Sequence, residues 1–212
     1  EGRNFGCHLR MAELDDGTIL LPLVEIHSRS GDPTYFQYYL RTLISTHVVL
    51  SHDGGQTWTP PQQVDLGSHV IWTGSYGDVL IGPEGETIMS VNWQQEGDTT
   101  YCRSGLLRSR DGGHSWGHLT QIAIGVDDEK SVCILSSGRM IAVMRDHDRP
   151  SKRSFSDDGG ETWIENARVT DFPSNPNHAF PGGAFIGDYF TIKATDDDVY
   201  MAWPDARLGE FG

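Results

Sequence analysis

The chain has 212 residues, of which 37% are hydrophobic, so it is long enough to bury a substantial core. Its formal net charge of −14 opposes the basic surface that nucleic-acid binding requires, and we expect no nucleic-acid partner. No apolar run approaches the roughly 18 residues that a membrane span needs. The three cysteines, Cys7, Cys102 and Cys133, have no metal-ligand spacing, so the sequence predicts no metal site.

Extended segments alternate with short turns in the first half of the chain. Asp15 to Gly17 is a turn signal between two extended runs. In the second unit, residues Ile71 to Ile81 are predicted to be extended, Gly82 to Gly85 to turn, and Thr87 to Trp93 to form a strand. One face of that strand carries Met89, Val91 and Trp93.

The same plan continues in the second half. The third unit has two extended runs, Lys130 to Leu135 and Arg139 to Arg145, separated by a turn around Ser137. The fourth has Phe185 to Ala194 and Val199 to Trp203. No segment with helical periodicity competes with these strands. The sequence therefore predicts an all-β fold of three full units and half of another.

An octapeptide of the form Ser-x-Asp-x-Gly-x-(Ser/Thr)-Trp recurs three times, at residues 51–58, 109–116 and 156–163. A short carboxylate can accept hydrogen bonds from backbone amides two or three residues further on, and glycine tolerates the positive φ of hairpin turns. Repeats about 40–50 residues apart indicate an array of similar units. We interpret the three aspartates as turn formers and not as catalytic groups: Asp53, Asp111 and Asp158.

These octapeptides resemble the Asp box of the BNR repeat in sialidase-like β-propellers, where the box closes the hairpin between the third and fourth strands of a blade. The resemblance implies a β-propeller of the six-bladed sialidase type, with about four blades in this chain. It also implies one partial propeller domain over residues 1–212, a fragment of a longer protein, and a secreted or periplasmic location.

Blade topology selects the candidate site. In a four-stranded antiparallel blade, the first hairpin turn and the octapeptide share one end, so strand one starts and strand two finishes at the other end. Five charged residues are predicted at that other end: Arg10, Asp32, Glu129, Arg145 and Arg207. Two of them, Glu129 and Arg145, are equidistant from Ser137 and should face each other across one hairpin. Each residue also has a purely structural alternative. Glu129 and Arg145 could form an ordinary ion pair, Arg10 could cap a blade edge, Asp32 could be a turn residue, and Arg207 could hold a loop in place.

The resemblance also implies roles for these residues. Sialidases hold the substrate carboxylate with three arginines, and Arg10, Arg145 and Arg207 match them in order, although the family's Arg-Ile-Pro is here Arg10-Met11-Ala12. Asp32 matches the acid/base, and Glu129 matches the carboxylate that activates a nucleophilic tyrosine. We find no matching tyrosine before Gly212, in agreement with the expectation of a fragment.

The sequence therefore favours an exo-sialidase-like glycoside hydrolase that cleaves terminal sialic acid from glycoconjugates without a cofactor. Its partners would be sialylated or other acidic glycans, because the planar guanidinium group suits a carboxylate. Two alternatives stay open: a non-catalytic glycan-binding or adhesion propeller, and a hydrolase or lyase of another acidic sugar. Linkage preference, hydrolysis versus transfer, and oligomeric state are not determined by the sequence.

Overall fold

The computed structural model describes residues 5–6, 10–27, 43–67, 69–74, 77–98, 102–125, 130–144, 150–164, 167–170, 191–195 and 197–202. These residues form strands and turns in four sheets, and the pairings described below are antiparallel. Within these ranges, no helix has the length and apolar character needed to cross a membrane.

The first two sheets each have five strands. The first has the order β1-β3-β4-β5, with β2 also paired to β3, and the second has the order β10-β9-β8-β6, with β7 paired to β8. Their bounds are β1 Phe5–Gly6, β2 Ala12–Glu13, β3 Ile19–His27, β4 Leu43–Ser51, β5 Gln62–Gln63, β6 Val70–Gly74, β7 Val79–Ile81, β8 Thr87–Gln95, β9 Cys102–Ser109 and β10 Gly117–Gly125.

The third sheet has four strands in the order β11-β12-β13-β14, and two strands of the fourth, β15 and β16, are described. Their bounds are β11 Lys130–Ile134, β12 Met140–Met144, β13 Lys152–Ser156, β14 Ala167–Arg168, β15 Thr191–Ala194 and β16 Val199–Ala202. In the first three sheets the octapeptide joins the last two strands along the chain, the position predicted for it.

In the first and third sheets, a short turn lies at the same end as the octapeptide. Ile19 pairs with Ser51 in the first sheet, and Met140 pairs with Ser156 in the third, so the strand that follows the short turn begins beside an octapeptide. In the first sheet the two turns are also linked directly, because the Thr18 hydroxyl lies 3.1 Å from His52 Nδ1. The predicted arrangement of turns is confirmed in these two sheets. We call this end of each sheet the turn end.

The octapeptide holds its shape through its own aspartate and serine. In the first copy, the Asp53 carboxylate accepts hydrogen bonds from the Ser51 hydroxyl at 2.8 Å and the Thr57 backbone N–H at 2.8 Å. The Ser51 hydroxyl oxygen accepts a bond from the Gly55 N–H at 2.8 Å. The second and third copies repeat these bonds with the aspartates Asp111 and Asp158.

These hydrogen bonds favour the ionised carboxylate. The Thr57 hydroxyl and N–H, followed by the Ser51 hydroxyl, lower the pKa of Asp53 to about 2. At Asp111, burial raises the pKa, but bonds from Ser115 and Ser109 outweigh it and leave the pKa at about 2. Every donor is local to its turn, so the interpretation of these aspartates as turn formers is confirmed.

The first strand of the second sheet is interrupted, where one extended run from Ile71 to Ile81 was predicted. Strands β6 and β7 both pair with β8, but Gly74 pairs with Asn92 and Val79 with Met89, so the register is offset between them. Gly77 has a φ of 139°, in the region that favours glycine. The first sheet has the same interruption, since β1 and β2 both pair with β3 and are separated in the chain.

The chain divides into two compact parts, which are larger than the repeating units of the sequence, and each part has its own core. The first comprises residues 1–100 and 107–119, and the second comprises residues 101–106 and 120–212. The first core includes the predicted face of β8, which is formed by Met89, Val91 and Trp93. These side chains are buried together with Leu20, Val48 and Leu50 of the first sheet. The second core contains Cys133, Ile141, Val143 and Ile192. The prediction of a single domain over residues 1–212 stays a prediction.

Two equivalent octapeptide glycines differ in their surroundings, and this difference yields a stability prediction. Gly55 and Gly113 have φ values of 88° and 89°. A Cβ at Gly113 would lie 2.4 Å from Leu20 Cδ1, whereas a Cβ at Gly55 would have its nearest neighbour, Trp58 Cζ2, at 3.8 Å. Both Gly→Ala changes should lower the free energy of unfolding by about 1–2 kcal/mol, because alanine is strained in the left-handed backbone conformation. Gly113→Ala should cost about 1–3 kcal/mol more, because it overpacks the core.

Urea unfolding of both variants tests this prediction, with Gly55→Ala as the matched control for Gly113→Ala. The two share the backbone conformation and the octapeptide context, so their difference measures the tertiary contact alone. Equal losses of unfolding free energy would contradict the packing seen at Gly113.

Candidate active site

Of the five predicted site residues, Arg10 is among the described residues. It lies between β1 and β2, and not before the first strand, because Phe5 and Gly6 also pair with β3. The expectation that Arg10 precedes the first strand of its sheet is therefore wrong, and the residue sits at the interruption of that strand. The other four lie outside the described residues: Asp32, Glu129, Arg145 and Arg207.

Arg10 forms an ion pair with Asp78, and its Nη1 lies 2.9 Å from Asp78 Oδ1. The two side chains differ in exposure, at 41% for Arg10 and 3% for Asp78. Arg10 therefore has Nη1 beside a buried carboxylate, while part of its side chain is open to solvent. A partly exposed arginine side chain of this kind can bind an anionic group from solution.

Asp78 lies at the interruption of the first strand of the second sheet, directly before β7, and its backbone carbonyl accepts a hydrogen bond from the Ser90 N–H at 3.0 Å. Sequence reasoning missed this residue. A signal for it exists, because Arg10 and Asp78 each lie seven residues before the glycine of a short turn, Gly17 and Gly85. Both turns have the same backbone hydrogen bonds, so aligning them places Arg10 and Asp78 at equivalent positions.

The β11–β12 hairpin has the predicted register. Lys130 pairs with Met144, and Ile134 pairs with Met140, so the hairpin is centred on Ser137. Lys130 and Met144 form the described pair farthest from the turn end, and both are buried. The register that was predicted for this hairpin is confirmed as far as the described pairs extend.

A second charged pair is buried within the first sheet. His47 Nε2 on β4 lies 3.2 Å from Glu25 Oε2 on β3, and the side chains are 0% and 4% exposed. His47 Nδ1 lies 3.4 Å from the Ser45 carbonyl oxygen. Each ring nitrogen of His47 therefore has an oxygen neighbour, the Glu25 carboxyl group at Nε2 and the Ser45 carbonyl at Nδ1. Glu25 and His47 were not predicted, and Phe5 packs against the imidazole ring with its centroid 5.3 Å away.

Metal binding finds no support in the part of the chain that the structure describes. No group of three or more histidine, cysteine, aspartate or glutamate side chains there is arranged to hold an ion. Among the described residues of the site, Arg10 offers a guanidinium group, which can bind an anion.

Comparison with protein families gives one match that covers most of the chain. A family model described as a BNR repeat-like domain matches residues 11–185. No curated protein matches the sequence.

Solved structures similar to this chain include proteins that act on carbohydrates. A Dyadobacter fermentans protein of unknown function has 18% identity and a TM-score of 0.67, over 91% of this chain and 55% of that one. The Hadza microbial sialidase Hz136 has 20% identity and a TM-score of 0.59, over 77% of this chain and 33% of that one. A Penicillium chrysogenum α-L-arabinanase has 15% identity and a TM-score of 0.56, over 79% of this chain and 50% of that one.

These similarities establish the fold. The chain is all-β and has the β-propeller architecture of the sialidases, as predicted, while the number of blades in the complete ring stays a prediction. This chain spans about half the length of the Dyadobacter protein and a third of the Hadza sialidase. At these identities the shared fold does not specify a substrate.

Proposed function

Since the chain belongs to the family of BNR repeat-like domains, we propose that it is an exo-sialidase-like glycoside hydrolase that cleaves terminal sialic acid from glycoconjugates. The observation that carries this proposal is Arg10, whose guanidinium group forms an ion pair with a buried carboxylate while its side chain is 41% exposed. An acidic sugar presents a carboxylate to such a group, and a charge-assisted hydrogen bond of this kind is strong. The proposed location is secreted or periplasmic, where glycoconjugates are accessible.

The hairpin register supports a second part of the proposed site. In the chain, Glu129 directly precedes Lys130 and Arg145 directly follows Met144, and Lys130–Met144 is the described pair farthest from the turn. If the register continues by one residue, the two side chains are cross-strand neighbours. In the proposed site, Arg145 joins Arg10 and Arg207 in binding the substrate carboxylate.

In the proposed reaction, two carboxyl groups carry out the proton transfers. Asp32 protonates the oxygen of the departing sugar and then activates water. Glu129 accepts the proton of a tyrosine nucleophile, the group by which sialidases depart from the two-carboxylate scheme of other glycosidases. A neutral tyrosine can approach an anionic sugar without the repulsion that a carboxylate nucleophile would meet. No cofactor takes part in this hydrolysis.

A panel of fluorogenic glycosides, given to the full-length protein, tests the proposal. We expect release of the fluorophore from an α-sialoside and not from a glucuronide or an arabinofuranoside. Arg10→Ala should lower kcat/KM for the sialoside by about 10- to 100-fold, because removing a charged hydrogen-bond partner costs about 1.5–3 kcal/mol. Arg110→Ala is the matched control, since Arg110 is 77% exposed and lies 4.0 Å from Glu84.

The results separate the alternatives. Binding of a sialoside without turnover would favour a glycan-binding propeller, and turnover of the glucuronide alone would favour a hydrolase of another acidic sugar. Neither binding nor turnover of any acidic sugar would contradict the proposed function altogether.

A further inference from the structure

One edge strand differs from the others that occupy the same place in their sheets. The strands β5, β10 and β14 each come next in the chain after an octapeptide, and each ends its sheet. β5 and β14 have two residues each, whereas β10 has nine, from Gly117 to Gly125. One side of β10 pairs with β9, and no strand among the described residues pairs with its other side. β10 therefore presents a long edge to which another strand can be added.

β10 lacks the features that usually protect an edge strand from pairing, which are brevity, proline, charge and bulges. β5 is short and follows Pro60 and Pro61, and β14 is short and carries Arg168. β10 contains no proline and no Lys, Arg, Asp or Glu, although 22% of the residues in the chain are charged. His118, near its beginning, has a φ of 51°, but no residue from Leu119 to Ile124 has a positive φ. This part of the strand has the regular backbone that pairing needs.

Two side chains of β10 could add contacts to a strand that pairs there. Ile124 is 55% exposed, whereas Ile122 and Ala123 are 7% and 5% exposed. Covering Ile124 with a partner would remove apolar surface from water. Gln121 is exposed, and its Oε1 accepts a hydrogen bond from Arg103 Nη1 at 3.0 Å. The amide of Gln121 can still accept and donate, because its oxygen has two lone pairs and its nitrogen carries two hydrogens.

The partner that suits this edge is a second copy of the same strand. Gln121 is the central residue of β10, so antiparallel pairing of two copies about it places Gln121 opposite itself and Thr120 opposite Ile122. A glutamine is its own complement, because each amide can donate to the oxygen of the other. A charged residue at this centre would instead face a like charge. The net charge of −14 makes two copies repel, and an uncharged strand allows their closest approach.

We propose that β10 is a dimerisation edge, on which a second copy of this chain pairs antiparallel with Gln121 at the two-fold axis. The interface is isologous, and the assembly closes at two copies because each copy uses its own β10 edge. Since one strand from each copy forms a small interface, the dimer dissociates on dilution. This inference concerns assembly and does not depend on the sugar that the proposed site binds.

Sedimentation velocity of the full-length protein over a range of concentrations tests the proposal. We expect the average sedimentation coefficient to rise with concentration as dimers form. Ile124→Lys should raise the dissociation constant by about tenfold or more, because it removes an apolar contact and places a charge on the edge. Ile164→Lys is the matched control, since Ile164 is also 55% exposed and lies outside β10, and it should leave the association unchanged.

Exchange of charge at Gln121 tests whether the partner is a second copy. Gln121→Glu keeps an oxygen that can accept the bond from Arg103, but it places two carboxylates opposite each other, so the dissociation constant should rise about tenfold. Gln121→Lys should have the same effect. An equimolar mixture of these two variants should associate more tightly than either variant alone, because opposite charges then meet at the axis. Urea unfolding of each variant checks that the fold is retained.

Three results would overturn the proposal. If the unsubstituted protein stays monomeric at every concentration, a second copy does not occupy the edge, and an extended segment of a different protein becomes the alternative occupant. If Ile124→Lys and Gln121→Glu dimerise as well as the unsubstituted protein, the interface lies elsewhere. If the mixture of the two Gln121 variants associates no better than its components, Gln121 does not lie at a two-fold axis.

Discussion

Replacement of Asp32 by alanine is expected to lower the hydrolysis of a sialoside by about 100- to 10,000-fold, the contribution of a positioned general acid and base. The residue is the proposed donor of the proton that the departing sugar oxygen takes up. The size of the loss should depend on the leaving group. An aryl leaving group, which is stable as an anion, needs less protonation than the sugar of sialyllactose.

The measurement therefore compares kcat for an aryl sialoside and for sialyllactose in Asp32→Ala and in the unsubstituted protein. We expect a larger loss with sialyllactose, whereas a residue that only supports the fold would lower both rates by the same factor. Asp65→Ala is the control for the loss of an exposed aspartate. Activity of Asp32→Ala equal to that of the unsubstituted protein would rule out Asp32 as the acid.

Removal of one partner from the buried Glu25–His47 pair is expected to lower the free energy of unfolding by about 3–5 kcal/mol. Glu25 Oε2 and His47 Nε2 lie 3.2 Å apart on the neighbouring strands β3 and β4, and both side chains are almost completely buried. The loss arises because each single substitution removes the partner of a buried ionisable side chain, in an environment with little water to replace the lost contact.

Urea unfolding of Glu25→Ala, His47→Ala and the combined variant measures the coupling between the two side chains. We expect the combined variant to lose much less than the sum of the single losses, since it leaves neither member of the pair without its partner. The exposed pair formed by Glu84 and Arg110 is the control, and Glu84→Ala should change stability by less than about 1 kcal/mol. A loss below about 1 kcal/mol in Glu25→Ala would show that the buried pair is not coupled.

Features held by short-range interactions could be predicted from the sequence. Each octapeptide aspartate accepts its hydrogen bonds from residues within four positions, as Asp53 does from Ser51 and Thr57, so the turn depends only on its own residues. The alternation of side chains along a strand also acts within a few residues, so it was sufficient to predict that Met89, Val91 and Trp93 share one strand face. In the structure the three side chains share one core. The resemblance to sialidases rested on these local patterns and predicted the β-propeller fold.

The candidate site was predictable only in part. The centre of the β11–β12 hairpin follows from its turn at Ser137, so the register could be derived from the sequence. The sequence analysis missed Asp78, Glu25 and His47, whose contacts form only where two strands or two sheets meet. No local pattern indicates which distant side chain a charged residue will contact. The role of Arg10 in the site stays a prediction, and the interruption of its strand was not foreseen.

The sequence by itself determined the turns, the strands and the all-β class, because glycine conformation, aspartate capping and the alternation of side chains act within a few residues. Only the tertiary structure decided that Gly113 packs against Leu20 while Gly55 meets no such neighbour. It also decided that Arg10 pairs with Asp78. Both contacts join residues that are distant in the chain, so they exist only once the first two sheets pack together.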